Sequence, residues 1–196
     1  MKETLDFIFA GVGGQGSVIA ARMIGDAAIE AGYRVAIGET HGAGQRGGSV
    51  LSHVRLWKEG SYGPLIMDAS ADVVLGLEPF EALKSAARFL KDSGTVVTSD
   101  HPILPPNKNY PSMDDIFANA GKIAAKIYAL DATQIAKDAG DVASLNIVVI
   151  GAAFGAGVLP INEEILKKTI AERFPKAAGI NLNVFELGKK MVKQRE

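Results

Sequence analysis

Phe7-Ile-Phe-Ala-Gly-Val-Gly-Gly-Gln-Gly-Ser17 is the stretch whose reading decides the fold. The apolar run from Leu5 to Ala10 predicts a buried strand and the run from Gln15 to Glu30 predicts a helix. Between them Gly11, Gly13 and Gly16 fall in the Gly-x-Gly-x-x-Gly spacing, with Gly14 and Gln15 inside the turn. Glycines here free the backbone for positive φ and close approach. The first helical N–H groups and the helix dipole then face whatever occupies the turn, which favours a phosphate or another anion. The same turn could also do no more than pack a helix on a sheet, without a ligand.

Working outward, Ala20, Ala21, Met23, Ile24, Ala27, Ala28 and Ala31 recur at helical spacing, and Gly32 is placed to end the helix. Tyr33 to Ile37 predicts a second strand closing a β-α-β unit, with Glu39 at its end, about twenty residues past the glycine turn. A nicotinamide-binding fold keeps its ribose-binding carboxylate there. Glu39 could instead orient the loop that follows it. That loop, from Glu39 to Gly48, holds four glycines together with His41, Gln45 and Arg46, and Gly47 and Gly48 close it. Arg46 is suited to a forked pairing with phosphate or carboxylate, and glycines on both sides favour a functional loop over a merely solvated one.

Strand-like segments recur at Ser49 to Trp57, Asp72 to Leu77, Gly94 to Ser99 and Lys126 to Asp131, with helices predicted after Glu78-Pro79, Ser112 and Asp131. The apolar, glycine-rich run from Leu145 to Leu159 predicts a buried helix packed through its small residues, and Asn162 with Glu163 and Glu164 opens another. The last segment from Asn181 carries an apolar stripe, and its Lys189, Lys190, Lys193 and Arg195 suit a helix C-terminus. The pattern is that of an α/β protein: one domain over residues 1–196, with a Rossmann-like open, mainly parallel sheet and helices on both faces.

Composition excludes several chemistries. The chain has no cysteine, hence no thiolate-ligated cluster, disulfide or cysteine nucleophile. Its 21 basic and 22 acidic residues give no electrostatic reason to expect nucleic acid. The charged amino terminus and the lack of a membrane-length apolar run lead us to expect a cytoplasmic protein with no membrane partner. His53 and His101 show no metal-ligand spacing, and no catalytic triad surrounds His41. We therefore expect neither a metal site nor a catalytic residue on this chain.

Taken together, Gly11-Val-Gly-Gly-Gln-Gly16 and His41-Gly-Ala-Gly-Gln-Arg-Gly-Gly-Ser49 resemble the gamma subunit, or gamma domain, of 2-oxoacid:ferredoxin oxidoreductases. Leu145-Asn146 before the small-residue helix and the closing Asn181-Leu-Asn-Val-Phe-Glu-Leu-Gly188 extend the resemblance over nearly the whole chain. The form of the second loop is most similar to the indolepyruvate oxidoreductase beta-subunit branch, with Gly44 a minor departure. The resemblance implies a complex that oxidatively decarboxylates a 2-oxoacid, an aryl pyruvate by the branch resemblance, with coenzyme A and ferredoxin, in which this chain is inactive alone. Thiamine diphosphate, magnesium and iron-sulfur clusters are then expected on partner subunits. Gly11, Gly13, Gly14, Gln15, Gly16, His41, Gln45, Arg46, Gly47 and Gly48 are the residues expected to help seat coenzyme A or close the thiamine pocket. The alternative is a stand-alone NAD(P)- or nucleotide-binding protein that uses Glu39 on the ribose; a scaffold without a ligand is a third reading.

Overall fold

The structure is a computed structural model and describes residues 4–41, 48–104 and 109–195. Seven strands form one sheet in the order β2-β3-β1-β4-β5-β6-β7. These are β1 (Thr4–Val12), β2 (Arg34–His41), β3 (Ser49–Trp57), β4 (Ala71–Gly76), β5 (Leu90–Ser99), β6 (Lys126–Leu130) and β7 (Lys193–Arg195). The strands β1, β4, β5 and β6 are mutually parallel, β3 runs antiparallel to both β1 and β2, and β7 runs antiparallel to β6. The mainly parallel α/β sheet expected from the sequence is thus present, with antiparallel strands added at both sides.

Helices cover both faces. Phe7 and Phe9 of β1, Val73 and Leu75 of β4 and Val97 of β5 point into the larger core. There they meet α1 (Ser17–Glu30), α4 (Ala132–Asp138), α5 (Leu145–Gly155), α6 (Glu163–Arg173) and α7 (Ala178–Met191). Ile8, Val74 and Val96, one residue out of phase, enter a smaller core under α2 (Pro79–Phe89) and α3 (Met113–Ala120). Burial on both sides is why the central strands read as continuous apolar runs rather than as alternating ones. The predicted caps are present: the Ser112 hydroxyl accepts from Asp115 N–H, and the Asn162 side chain accepts from Glu164 N–H.

The small-residue packing of α5 is directed at α7. A Cβ at Gly151 would lie 2.1 Å from the Phe185 carbonyl oxygen, and one at Gly188 would lie 2.1 Å from that of Val148. The two backbones touch with no side chain between them. Residues Leu145 to Ala153 are buried as a consequence, which accounts for a helix with almost no polar face.

Two expectations are corrected. The β-α-β unit does not close with β2 beside β1, because β3 pairs along the whole of β1, from Thr4 opposite Trp57 to Val12 opposite Ser49, and separates the two. Both faces of β3 are apolar enough to be central: Val54 and Leu56 are buried on one, and His53 and Trp57 on the other. The tail is likewise not all helix. Helix α7 stops at Met191, and Lys193 and Arg195 belong to the edge strand β7. Among the described residues, no helix is long and apolar enough to cross a membrane.

Candidate functional site

The glycine turn sits at the C-terminal end of β1, the edge where open α/β sheets receive ligands. Gly16 is the N-cap of α1, with φ +82, and a Cβ there would lie 2.6 Å from Asn146 Nδ2. Glycine is required on both counts. Asn146, a lone buried polar residue in the apolar run of α5, donates to the Gly16 carbonyl at 3.3 Å. Gly14, with φ +104, is exposed, and nothing lies within 4 Å of where its Cβ would be. Among the described residues no side chain caps α1, and its first turn contains no acidic residue. Its leading N–H groups lack intrahelical acceptors, and with the dipole they make an anion-favouring end.

Gln15 is the lock of this turn. Its side-chain oxygen accepts from Val12 N–H at 2.8 Å, and its amide nitrogen donates to the Leu77 carbonyl at 2.9 Å, tying the turn to the end of β4. The amide is buried, so Gln15 shapes the site from within.

The second loop leaves the sheet at His41, the last residue of β2, and returns at Gly48 and Ser49. The Gly13 N–H donates to the Gly48 carbonyl at 2.9 Å, which joins this loop to the glycine turn. Thus the structure brings Gly11, Gly13, Gly14, Gln15, Gly16 and Gly48 together at one edge. The His41 side chain, Gln45, Arg46 and Gly47 lie outside the described residues.

The same edge is lined by Glu78, which the sequence places at a strand end where capping is the commoner role, and by Tyr110 and Glu81, which it did not single out. Glu78, only 2% exposed at the end of β4, accepts from Glu81 N–H at 2.8 Å to cap α2, and also accepts from Ile103 N–H and the Tyr110 hydroxyl. Burial, then the hydrogen bond to Glu78, pushes the Tyr110 phenol above its ordinary value. Glu81, in the first turn of α2, accepts from Ser49 Oγ at 2.7 Å. The Glu78-Pro79 helix start was visible in the sequence; the loops that its two carboxylates reach were not.

The remaining candidates are accounted for structurally. His53 is buried, and burial, followed by Arg88 and Arg55, holds its pKa below the ordinary value. Its Nδ1 accepts from Ile66 N–H at 3.2 Å. His101 lies half-exposed, 3.6 Å from Asp131, which caps α4 through Gln134 N–H. Glu39 ion-pairs with Arg22 of α1 at 3.0 Å, on a strand set apart from the glycine turn by all of β3. It is therefore not placed to reach a ribose held at that turn, which removes the physical basis of the dinucleotide reading.

Comparison with known proteins bears on the family and the fold. Residues 6–191 match the family model of pyruvate ferredoxin/flavodoxin oxidoreductase. The indolepyruvate oxidoreductase subunit IorB of Thermococcus kodakarensis is 39% identical over 201 residues, covering 99% of this chain and 98% of the relative. The pyruvate oxidoreductase subunit PORC of Thermotoga maritima has the same fold, with a TM-score of 0.77 at 22% identity over the full length of both chains. The 2-oxoglutarate:ferredoxin oxidoreductase of Magnetococcus marinus, solved with 2-oxoglutarate, coenzyme A and succinyl-CoA bound, matches 96% of this chain with 31% of its own, with a TM-score of 0.76 at 24% identity. A family match over nearly all residues and a full-length relative of this identity make the chain a member of the pyruvate ferredoxin/flavodoxin oxidoreductase family.

Proposed function

We propose that this chain is the gamma-type subunit of a 2-oxoacid:ferredoxin oxidoreductase and that its two glycine-rich loops help to seat coenzyme A beside a partner's thiamine site. The observation that carries this reading is the Gly13 to Gly48 hydrogen bond, which joins the loops at the uncapped start of α1. Backbone N–H groups of the Gly13 to Ser17 turn would hold phosphate oxygens, and Arg46 would supply the forked cation that a diphosphate needs. A nearly neutral chain without cysteine leaves the redox chemistry to other subunits. Thiamine diphosphate, magnesium and iron-sulfur clusters belong to those partners, and ferredoxin reaches the complex through them. What this chain contributes is orientation: an anchored acyl acceptor and a closed wall beside the reacting centre. An aryl pyruvate is the substrate class favoured, in keeping with the indolepyruvate relative, and a cytoplasmic location fits the absence of a membrane-length helix among the described residues.

The test is Arg46→Ala in the reconstituted complex. The KM for coenzyme A should rise roughly tenfold or more, as expected when hydrogen bonds to a charged group are lost, or assembly with the partner should weaken. Unchanged kinetics together with unchanged assembly would refute the role of the loop.

A further inference from the structure

Strand β3 begins at a buried carboxylate. Ser49, its first residue, pairs with Val12 at the end of β1, and the Gly13 to Gly48 bond extends that pairing by one step into the two loops. Nothing in a strand ladder fixes such a terminal step, since strand ends fray. Here Ser49 Oγ donates to Glu81 Oε2 at 2.7 Å, Lys84 Nζ donates to Glu81 Oε1 at 2.7 Å, and Lys84 Nζ reaches Ser49 Oγ at 3.1 Å. Glu81 is 8% exposed, so the carboxylate at the centre of this charge-assisted triangle is buried, while the Lys84 side chain, 45% exposed, closes it from the solvent side.

We propose that Glu81 is a positioning residue for the coenzyme A site: by holding Ser49 to the first turn of α2 it keeps the Gly48 carbonyl against Gly13 N–H and sets the distance between the two loops. Lys84 holds the carboxylate in turn. Glu81 touches no ligand in this scheme and acts through Ser49 and Gly48. Neighbouring Glu78 caps α2 by accepting from Glu81 N–H, and Gln15 ties the glycine turn to Leu77 just before it. The start of α2 is thereby the fixed reference for both loops. This inference rests on the reading that the loops seat coenzyme A, and the experiment separates the two.

Amide exchange at Gly13, followed by NMR in the full chain, reads the positioning directly, while kinetics of the reconstituted complex read the function. For Ser49→Ala we expect Gly13 exchange to accelerate roughly tenfold, the effect of losing a hydrogen bond to a charged group, with central amides of β1 and β4 unchanged. Ser49→Thr, which keeps the hydroxyl on a residue that suits a strand, should restore the wild-type rate. In the complex, Ser49→Ala should raise the KM for coenzyme A about as much while leaving kcat near wild type. Unchanged Gly13 exchange, or exchange accelerated equally throughout the sheet, overturns the positioning role. Accelerated Gly13 exchange with rescue by threonine, but no change in KM or assembly, sustains the positioning role and overturns the coenzyme A reading instead.

Discussion

The contact between α5 and α7 gives the sharpest test of the fold, because it depends on atoms that are absent. Adding one methyl group at Gly188 places it 2.1 Å from the Val148 carbonyl oxygen, and adding one at Gly151 places it 2.1 Å from that of Phe185. Carbon approaches a carbonyl oxygen no closer than roughly 3.3 Å in such helix contacts, so each change demands a separation of about 1 Å. Both obstacles are main-chain atoms, so no rotamer change can relieve them. A radial gap of that size forfeits roughly a quarter to a half of each dispersion contact across the interface, and Ile147, Val148, Val184 and Phe185 all lie in the larger core. We expect Gly188→Ala and Gly151→Ala each to cost about 3 kcal/mol, the upper part of the range for overpacking, after the roughly 1 kcal/mol that alanine returns in a helix. For a chain of this size the melting temperature should fall by roughly 6–12 °C. The double variant should cost less than the sum, since one separation of the helices relieves both clashes. The control is Gly179, also in α7, where a Cβ would meet nothing within 4 Å. Gly179→Ala should be neutral or stabilise by up to about 1 kcal/mol. Circular-dichroism melting of the four variants decides the matter. If Gly188→Ala and Gly179→Ala melt alike, the backbone contact is not as described.

Gln15→Glu should destabilise the chain by about 1–3 kcal/mol in urea titration, because a buried carboxylate would face the Leu77 carbonyl where an amide now donates; a neutral result would mean that the turn is not locked there. Hydrogen bonds from Lys167, then Lys189, lower the Glu163 carboxyl from 4.5 to about 2. Its contribution to stability is present above pH 4.5 and is lost as pH falls towards about 2. Glu163→Gln should flatten the acid limb of the stability profile in that window, whereas an unchanged limb would show that other carboxylates control it. Calorimetry of the full chain with NAD or NADP should show no binding, and Arg22→Ala should leave stability within about 1 kcal/mol of wild type, since the Arg22 side chain is 55% exposed. Measurable dinucleotide affinity would reinstate Glu39 as a ribose ligand.

How much of this was legible in the sequence depends on whether the signal is local. The glycine turn, the caps at Ser112 and Asn162 and the buried α5 rest on short-range rules of spacing and burial, and each is found where the sequence places it. The position of β3 could not be read in that way. Its alternation identified a strand, but which neighbours it pairs with depends on the matched apolar faces of β1 and β2, and strand order has no local signature. The same limit hid the reach of Glu81 to Ser49 and of Glu78 to Tyr110, contacts made across 32 residues of sequence in both cases. The basic tail misled for a different reason: Lys and Arg suit both a helix C-terminus and an exposed edge strand, and only the unpaired side of β6 selects between them.

That short edge strand has a bearing on solubility. Without β7, β6 would offer the unpaired main-chain groups of Ile127, Tyr128 and Ala129 to any passing strand. The segment that covers them is three residues long, exposed, and carries two cations, with the Arg195 guanidinium lying 3.8 Å over the Phe117 ring. Such a strand satisfies its neighbour while presenting an outer rim that repels further copies. Residues 193–195 thus close an edge that would otherwise be open to strand pairing, and substitutions that unseat them would expose β6 as well as loosen a short strand.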